Sequence, residues 1–360
     1  MNPLPQESHR VPEATPPRID AESTKMCREI AESPLAIARQ IAANAPRVRE
    51  LADVLRRDPP RLIATGARGS SDNAATYAKY LFETRLGVTT SSAAPSVQSI
   101  YAAAQHLEGA LFVAISQSGR SPDLVGQAQA AKRAGARVVA MVNVEDSPLA
   151  QAADFLIPLH AGPERSVAAT KSFLCSLAAV LHLVAEWKQD DGLRAALDSV
   201  PAALEAGWTL DWSALVDGLV DAQNLFVVGR GLGLAAAQEA ALKLKETCAL
   251  HAEAFSAAEV QHGPMALVER DFPVLFFAQD DDTQDSTLAV AQKFRARDAR
   301  VWVAGGDAEG GALALPPRLD PVCAPLVAVH RFYGAANELA LRRGRDPDAP
   351  PHLNKVTETV

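Results

Sequence analysis

Short unbroken apolar runs alternate along this chain with longer stretches in which apolar residues recur every three or four positions. The first pattern predicts buried strands, the second amphipathic helices. From Met26 to Arg57 the positions Ile30, Leu35, Ile37, Ile41, Val48, Leu51 and Leu55 keep helical spacing. Pro34 and Pro46 predict that this region is divided into more than one helix, and Pro59-Pro60 closes it. The run 61–65 then enters Gly66-Ala67-Arg68-Gly69-Ser70-Ser71-Asp72-Asn73, and a helical segment follows over 74–86. Strand, glycine-containing loop and helix form the opening of an α/β unit. The unit recurs as a strand over 111–115, the loop Ser116–Ser121 and a helix over 123–134. Further strands are expected at 138–142 and 155–159, and a long helix at 168–187.

The order then repeats. A strand at 224–228 leads into Gly229-Arg230-Gly231-Leu232-Gly233 and a helix through Leu250. A strand at 274–278, a helix at 288–297 and a strand at 301–304 follow. This is the pattern of a duplicated parallel-sheet domain, with a linker expected near Pro201 to Trp212. Apolar strands without polar alternation fit parallel strands covered on both faces. The expected fold class is α/β, two tandem domains, each a parallel sheet flanked by helices. Residues 1–24 are expected as a disordered tail and 25–60 as N-terminal helices. The domains are expected at 61–200 and 213–345, with a C-terminal tail at 346–360.

Composition narrows the function. Among 360 residues, aromatic ones make up 5% and apolar ones 48%, which favours helices on a sheet over an aromatic-rich sandwich. The net charge of -8 and the lack of a basic run exclude a nucleic-acid surface. No apolar stretch is long enough to cross a bilayer, so no membrane partner is expected. The proline-rich start lacks the apolar core of a signal peptide. Four scattered cysteines without a CxxC pair suggest reduced thiols and a cytoplasmic setting. The eight histidines show no ligand spacing, so no metal is implied.

The loop Ser116-Gln117-Ser118-Gly119-Arg120-Ser121 leaves a strand and enters a helix. It offers three hydroxyls beside the unpaired N–H groups and positive dipole end of a helix, a setting that favours a phosphate. A plain serine helix cap would look the same locally. At the equivalent point of the second half stands Gln279-Asp280-Asp281-Asp282-Thr283, whose carboxylates would repel phosphate, so one phosphate site per chain is expected. The loop lacks the lysine of a Walker A motif, and neither glycine loop completes GxGxxG, which leaves nucleotides a weak reading. On the helix that follows Gly233, Glu239, Lys243 and Glu246 can share one face; a solvated charged face would have the same pattern. His262 stands before Gly263-Pro264, in a turn.

These residues resemble the sugar isomerase (SIS) family, specifically the isomerase half of glucosamine-6-phosphate synthase and its stand-alone deaminase relatives. The resemblance runs from about residue 25 to 360. It rests on Gly66–Asn73, Ile115–Ser121, Val167-Ala168-Ala169-Thr170-Lys171, Ala241–Ala254, His262-Gly263-Pro264, Arg345–Asp348 and Leu353–Thr357. It implies that Ser116, Gln117, Ser118 and Ser121 hold the phosphate, and that Ser71, Val167 and Ala169 line the sugar. It implies Glu246 as the base between carbons 1 and 2, and Lys243 as the cation polarising the group there. His262, offered across a homodimer interface, would open the ring, and Lys355 in the tail would close over the substrate. A carboxylate base with a cation for the developing charge suits proton abstraction beside a carbonyl or iminium. The chain departs from the family at Arg120, where an acidic residue is usual, and at Ala169, where a serine is usual.

The synthase carries a glutaminase domain with a cysteine after its initiator methionine; here residue 2 is Asn2. The resemblance therefore implies isomerisation with loss of ammonia, glucosamine 6-phosphate to fructose 6-phosphate, without a cofactor. The alternatives are a fructosamine-6-phosphate deglycase, another aldose–ketose phosphosugar isomerase, and, in a different class, a non-catalytic sugar-phosphate sensor.

Overall fold

The computed structural model of the chain describes residues 20–305 and 311–355. Most of the N-terminal stretch expected to be disordered lies outside these residues. Its last part is ordered, because polar side chains cap the turn and the helix that begin there. Asp20 caps a short 3-10 turn, Ala21–Ser23, and the Thr24 hydroxyl accepts the Cys27 N–H at 3.1 Å. Helix α1 (Lys25–Ala31) starts there and leads into α2 (Ser33–Arg57).

The region is two helices, as expected, with the break just before Pro34, but Pro46 does not divide α2. Pro34 sits in its first turn, where no N–H is needed, and Pro46 lies inside one continuous helix. The lost hydrogen bond is outweighed by packing: Ile37, Val48, Leu51 and Leu55 are buried, and α2 lies against two later helices, α7 (Lys171–Lys188) and α8 (Asp191–Trp208). The expected linker also proves helical through most of its length. Pro201 is inside α8, whose Leu193, Leu197, Val200 and Leu204 are buried. The chain leaves the helix only at Thr209, and Trp212 is buried with its indole N–H on the Ala314 carbonyl at 3.1 Å.

The first half builds β1 (Ile63–Gly66), α3 (Ser70–Leu81, prolonged by a wider turn over Phe82–Leu86), β2 (Thr90–Ser92), α4 (Pro95–Ser99) and β3 (Leu111–Ser116). It continues with α5 (Pro122–Arg133), β4 (Arg137–Val142), α6 (Pro148–Ala152) and β5 (Phe155–Pro158). After α9 (Ser213–Leu219), the second half builds β6 (Asn224–Gly229), α10 (Gly233–Cys248), β7 (His251–Ser256) and β8 (Pro273–Phe277). It ends with α11 (Gln284–Arg295), β9 (Arg300–Ala304), β10 (Ala312–Leu313) and α12 (Ala324–Arg342). The two sheets are wholly parallel, ordered β2-β1-β3-β4-β5 and β7-β6-β8-β9-β10. These orders are the same when strands are counted within each half, so the duplication holds at the level of topology. Its central strands are buried throughout, as covered parallel strands must be.

The equivalent helices α3 and α10 pack directly against each other, and α12 also packs on α10. Alanines make the close approach possible: Ala235, Ala236, Ala237, Ala240 and Ala241 are all buried. One apolar cluster runs through this junction from Tyr77 and Leu81 to Leu244 and Phe332. None of the four cysteines is disulfide-bonded, and no described helix is long and apolar enough to cross a membrane.

The β6–α10 turn is a tight link between sheet and helix, since a Cβ on Gly229 would collide with the Gly233 carbonyl. Gly229→Ala should therefore destabilise the fold by about 1–3 kcal/mol. Chemical denaturation with an unchanged midpoint would refute that account of the turn.

Candidate active site

The strand order reverses between β1 and β3, and in sheets of this kind the crevice at that point, outside the carboxyl ends of the strands, receives ligands. The Gly66–Ser71 and Ser116–Ser121 loops both open there. Ser116 ends β3, and its hydroxyl accepts the Gly119 N–H at 3.0 Å. Gly119 has φ 63°, and a Cβ on it would run into the Ser147 hydroxyl, so the loop needs glycine there. The Ser118 hydroxyl accepts the Arg120 N–H at 3.3 Å. Ser121 stands at the cap position of α5, yet its hydroxyl bonds no helix N–H. The Gln117 carbonyl accepts the Asn143 N–H at 3.2 Å. Arg120 is exposed to solvent. Ser71, the second residue of α3, is half-buried at the same end of the sheet.

A clasp missed at the sequence level joins the two loops. Arg68 donates to one Asp123 carboxylate oxygen through Nε at 3.0 Å and Nη2 at 2.7 Å. Asp123 is buried in the first turn of α5, so the pair ties the first glycine loop to the phosphate-loop helix.

The equivalent loop of the second half is filled by the protein itself. The Asp281 carboxylate accepts the Thr283 N–H at 2.8 Å, and Gln279 Nε2 donates to the Arg230 carbonyl and to Thr283 Oγ1, each at 2.8 Å. An internal anion occupies donors that an external phosphate would need.

Helix α10 brings the charged residues together. Lys243 is fully buried; its ammonium bonds the Glu246 carboxylate and lies 3.5 Å from Glu239 Oε1. Burial alone would push the Lys243 ammonium down, but Glu239, Glu246 and the more distant Glu164 outweigh it and raise its pKa. Lys243 is thus a held positive charge. Glu239 is also fully buried. It accepts Ser70 Oγ at 3.1 Å, Asn73 Nδ2 at 2.8 Å and the Tyr333 hydroxyl at 2.8 Å. Burial pushes its carboxyl upward, against the pull of Lys243, Asn73 and Tyr333. Ser70 and Asn73 belong to the first half, so Glu239 fixes α10 against the first glycine loop. Glu246 keeps 22% of its side chain exposed and is the member of the set open to a ligand.

The loop from His160 to Thr170 leads from β5 to α7. Val167 and Ala169 are half-buried in it, and the Val167 N–H donates to the Asp348 carbonyl at 3.4 Å. Its organiser is Glu164, which no local sequence pattern marks. Glu164 accepts the Thr170 N–H at 3.0 Å, the Ser172 N–H at 3.1 Å, Ser172 Oγ at 2.7 Å and Lys355 Nζ at 2.9 Å. Burial raises its carboxyl, yet Lys355 and the Ser172 and Thr170 donors overcome that and leave it below the ordinary value. Lys355 is thereby held at this loop.

His262 is not brought to the others. It lies exposed in the turn after the 3-10 segment Glu259–Gln261, and its imidazole bonds no described residue. Among the described residues no cluster of His, Cys, Asp or Glu could hold a metal ion.

The fold and the paired loops define a double α/β domain whose two halves share one strand order. The family model "SIS domain" matches residues 58–186 and 218–311, one segment in each half, and the chain belongs to that family. It is 33% identical over 92% of its length to the glutamine–fructose-6-phosphate aminotransferase [isomerizing] of Thermococcus kodakarensis, 57% of which is covered. The chain thus spans little more than half the length of such relatives. A protein of Silicibacter pomeroyi provisionally assigned as a phosphosugar isomerase superposes with a TM-score of 0.86 at 44% identity, covering 90% of this chain and all of that one. The C-terminal domain of the glucosamine-fructose-6-phosphate aminotransferase of Francisella tularensis gives 0.82 at 28% identity, with 91% and 98% covered.

Because Glu164 titrates below its ordinary value of 4.5 in the fold, it contributes stability above that pH and loses it as pH falls through the lower folded value. Glu164→Gln should remove that part of the acid-side slope. Equal slopes below pH 4.5 for wild type and variant in denaturation at stepped pH would contradict the assignment.

Proposed function

We propose that the chain is a phosphosugar isomerase acting on a phosphorylated amino sugar, converting glucosamine 6-phosphate and water to fructose 6-phosphate and ammonia. The observation that carries this reading is the α10 face, where a half-open carboxylate, Glu246, bonds a buried, charged Lys243 whose other partner, Glu239, bonds Ser70 and Asn73 of the first half. The phosphate sits on Ser116, Gln117, Ser118 and Ser121 at the α5 N-terminus, and Ser71, Val167 and Ala169 line the sugar. Glu246 takes the proton from carbon 2 of the open aldehyde and returns it to carbon 1, while Lys243 offsets the negative charge developing on oxygen. The resulting imine at carbon 2 adds water and expels ammonia, leaving the ketone. Lys355, paired with Glu164, closes the crevice from the tail. No cofactor enters the sequence of steps. The identities of the relatives, phosphosugar enzymes by name, support the same class.

A cavity favours a second reading, an N-substituted fructosamine 6-phosphate. About 390 Å³ of space, lined by Glu32, Arg39, Asn143, His160, Ala161, Gly162 and Pro163, adjoins the sugar-lining loop. Asn143 connects that space to the Gln117 carbonyl.

Purified protein given glucosamine 6-phosphate should release ammonia and fructose 6-phosphate in equal amounts, and Glu246→Gln should lower kcat by at least about a hundredfold. Turnover that survives Glu246→Gln would remove the proton-shuttle role.

The exposure of His262, with no partner among the described residues, supports ring opening across a homodimer interface. Mixed Glu246→Gln and His262→Ala subunits should then recover up to about a quarter of wild-type activity, by random pairing of one intact site. An active monomer in sedimentation would rule the arrangement out.

A further inference from the structure

The tail that carries Lys355 has a second and stronger attachment. The two carboxylate oxygens of Asp348 accept the Lys25 and Met26 amide N–H groups, each at 2.7 Å. These are the first two residues of α1, whose opening amides have no partner inside the helix. Thr24 already caps α1 through the Cys27 N–H, so Asp348 is not there to start the helix. The Asp348 carbonyl accepts the Val167 N–H at 3.4 Å, and its own N–H is fixed by Asp346 Oδ1 at 2.9 Å. One residue thus joins the tail, α1 and the loop at the sugar wall.

Helix α1 reaches the same loop from its other end. The Glu29 carboxylate accepts the Arg165 N–H and, at 3.2 Å, the Ser166 N–H. On the next residues of that loop stand Val167 and Ala169, and Glu164 in front of them holds Lys355. The carboxylates in this ring receive backbone amides or an ammonium, the stronger class of hydrogen bond. On the tail side Pro347 and Pro350 are buried, while Leu353 is 43% exposed.

We propose that Asp348 is a positioning residue for the reaction: it latches the C-terminal tail onto α1, which presents Lys355 to Glu164 and holds the 164–170 loop in register. The kinetic side of this proposal rests on the function proposed above; the latch itself does not.

Limited trypsin digestion of the full-length folded chain tests the latch without substrate. Cleavage after Lys355 releases Val356–Val360, which mass spectrometry can follow. Asp348→Ala should speed that release about tenfold or more, because two charge-assisted bonds are lost. Asp348→Asn keeps one acceptor oxygen and should fall between. Lys25→Pro deletes one donor at a helix position that tolerates proline, and should loosen the tail in the same direction while α1 persists. Release at the wild-type rate in Asp348→Ala or Lys25→Pro would overturn the latch. In turnover assays Asp348→Ala should lower kcat about tenfold, leave KM within about twofold, and be partly rescued by Asp348→Asn. A lowered Tm with unchanged kcat in the folded fraction would reduce Asp348 to a structural residue and overturn its positioning role. Should wild type turn over no phosphosugar, the proposed function fails while the trypsin result still decides the latch.

Discussion

An ammonium taken wholly out of water must be paired, and the structure is organised around satisfying Lys243. Its partners lie one turn away on either side, Glu239 and Glu246. Glu239, equally buried, needs donors of its own, and it finds them on α3 of the other half and on α12. Stripping one partner from such a buried pair costs about 3–5 kcal/mol, because a charge is left stranded. The helix that carries the proposed base is therefore bolted to the first glycine loop by the same bonds that keep its lysine charged. Domain arrangement and site electrostatics are one constraint here. Glu246, at the solvent end of the chain of charges, is the carboxylate left free to meet a ligand.

The duplication supplies two topologically equivalent crevices and the chain uses them differently. In the first half the turn after β3 is built from serines and a glycine with positive φ, and the Ser116 and Ser118 hydroxyls accept the loop's own amides. In the second half Asp281 stands three residues before α11 and takes the Thr283 amide. An aspartate at a helix N-terminus gains from the same dipole that would attract phosphate. The second half thus gives its equivalent crevice over to packing and sends the charged face of α10 to the first. Arg68 and Asp123 add rigidity there, joining the first glycine loop to α5.

Much of this was legible in the chain and the limits are physical. Buried parallel strands show as apolar runs, so β1, β3, β4, β6, β8 and β9 stand out along the sequence. Of the edge strands only β5, expected at 155–159, does: β2 has three residues, and β7 reads His251-Ala252-Glu253-Ala254-Phe255-Ser256 with exposed and buried positions mixed. Proline misled twice, at Pro46 and Pro201, since burial along α2 and α8 outweighs one missing N–H in each. The spacing of Lys243 and Glu246 announced a shared helix face. Nothing local announced the partners of Glu164, the amides of Thr170 and Ser172 and the distant Lys355, or those of the Asp348 carboxylate, more than three hundred residues earlier. A carboxylate that receives backbone amides leaves no side-chain pattern to read.

That same chemistry explains how the closing part of such a site can be both ordered and releasable. The 160–170 loop and the tail are held to the body by the carboxylates of Glu29, Glu164 and Asp348. The Asp348 bonds, unlike those of buried Glu29 and Glu164, lie near solvent, and such bonds open locally at far lower cost than a packed core does. An isomerase that passes through an imine needs a crevice closed while the proton moves and open when product leaves. Segments held by a few carboxylate–amide bonds meet both demands, whereas segments held by buried leucines would meet only the first. The rigid requirements, a charged lysine and a turn that fits phosphate, are met on helix and strand ends, and the reversible one on the periphery.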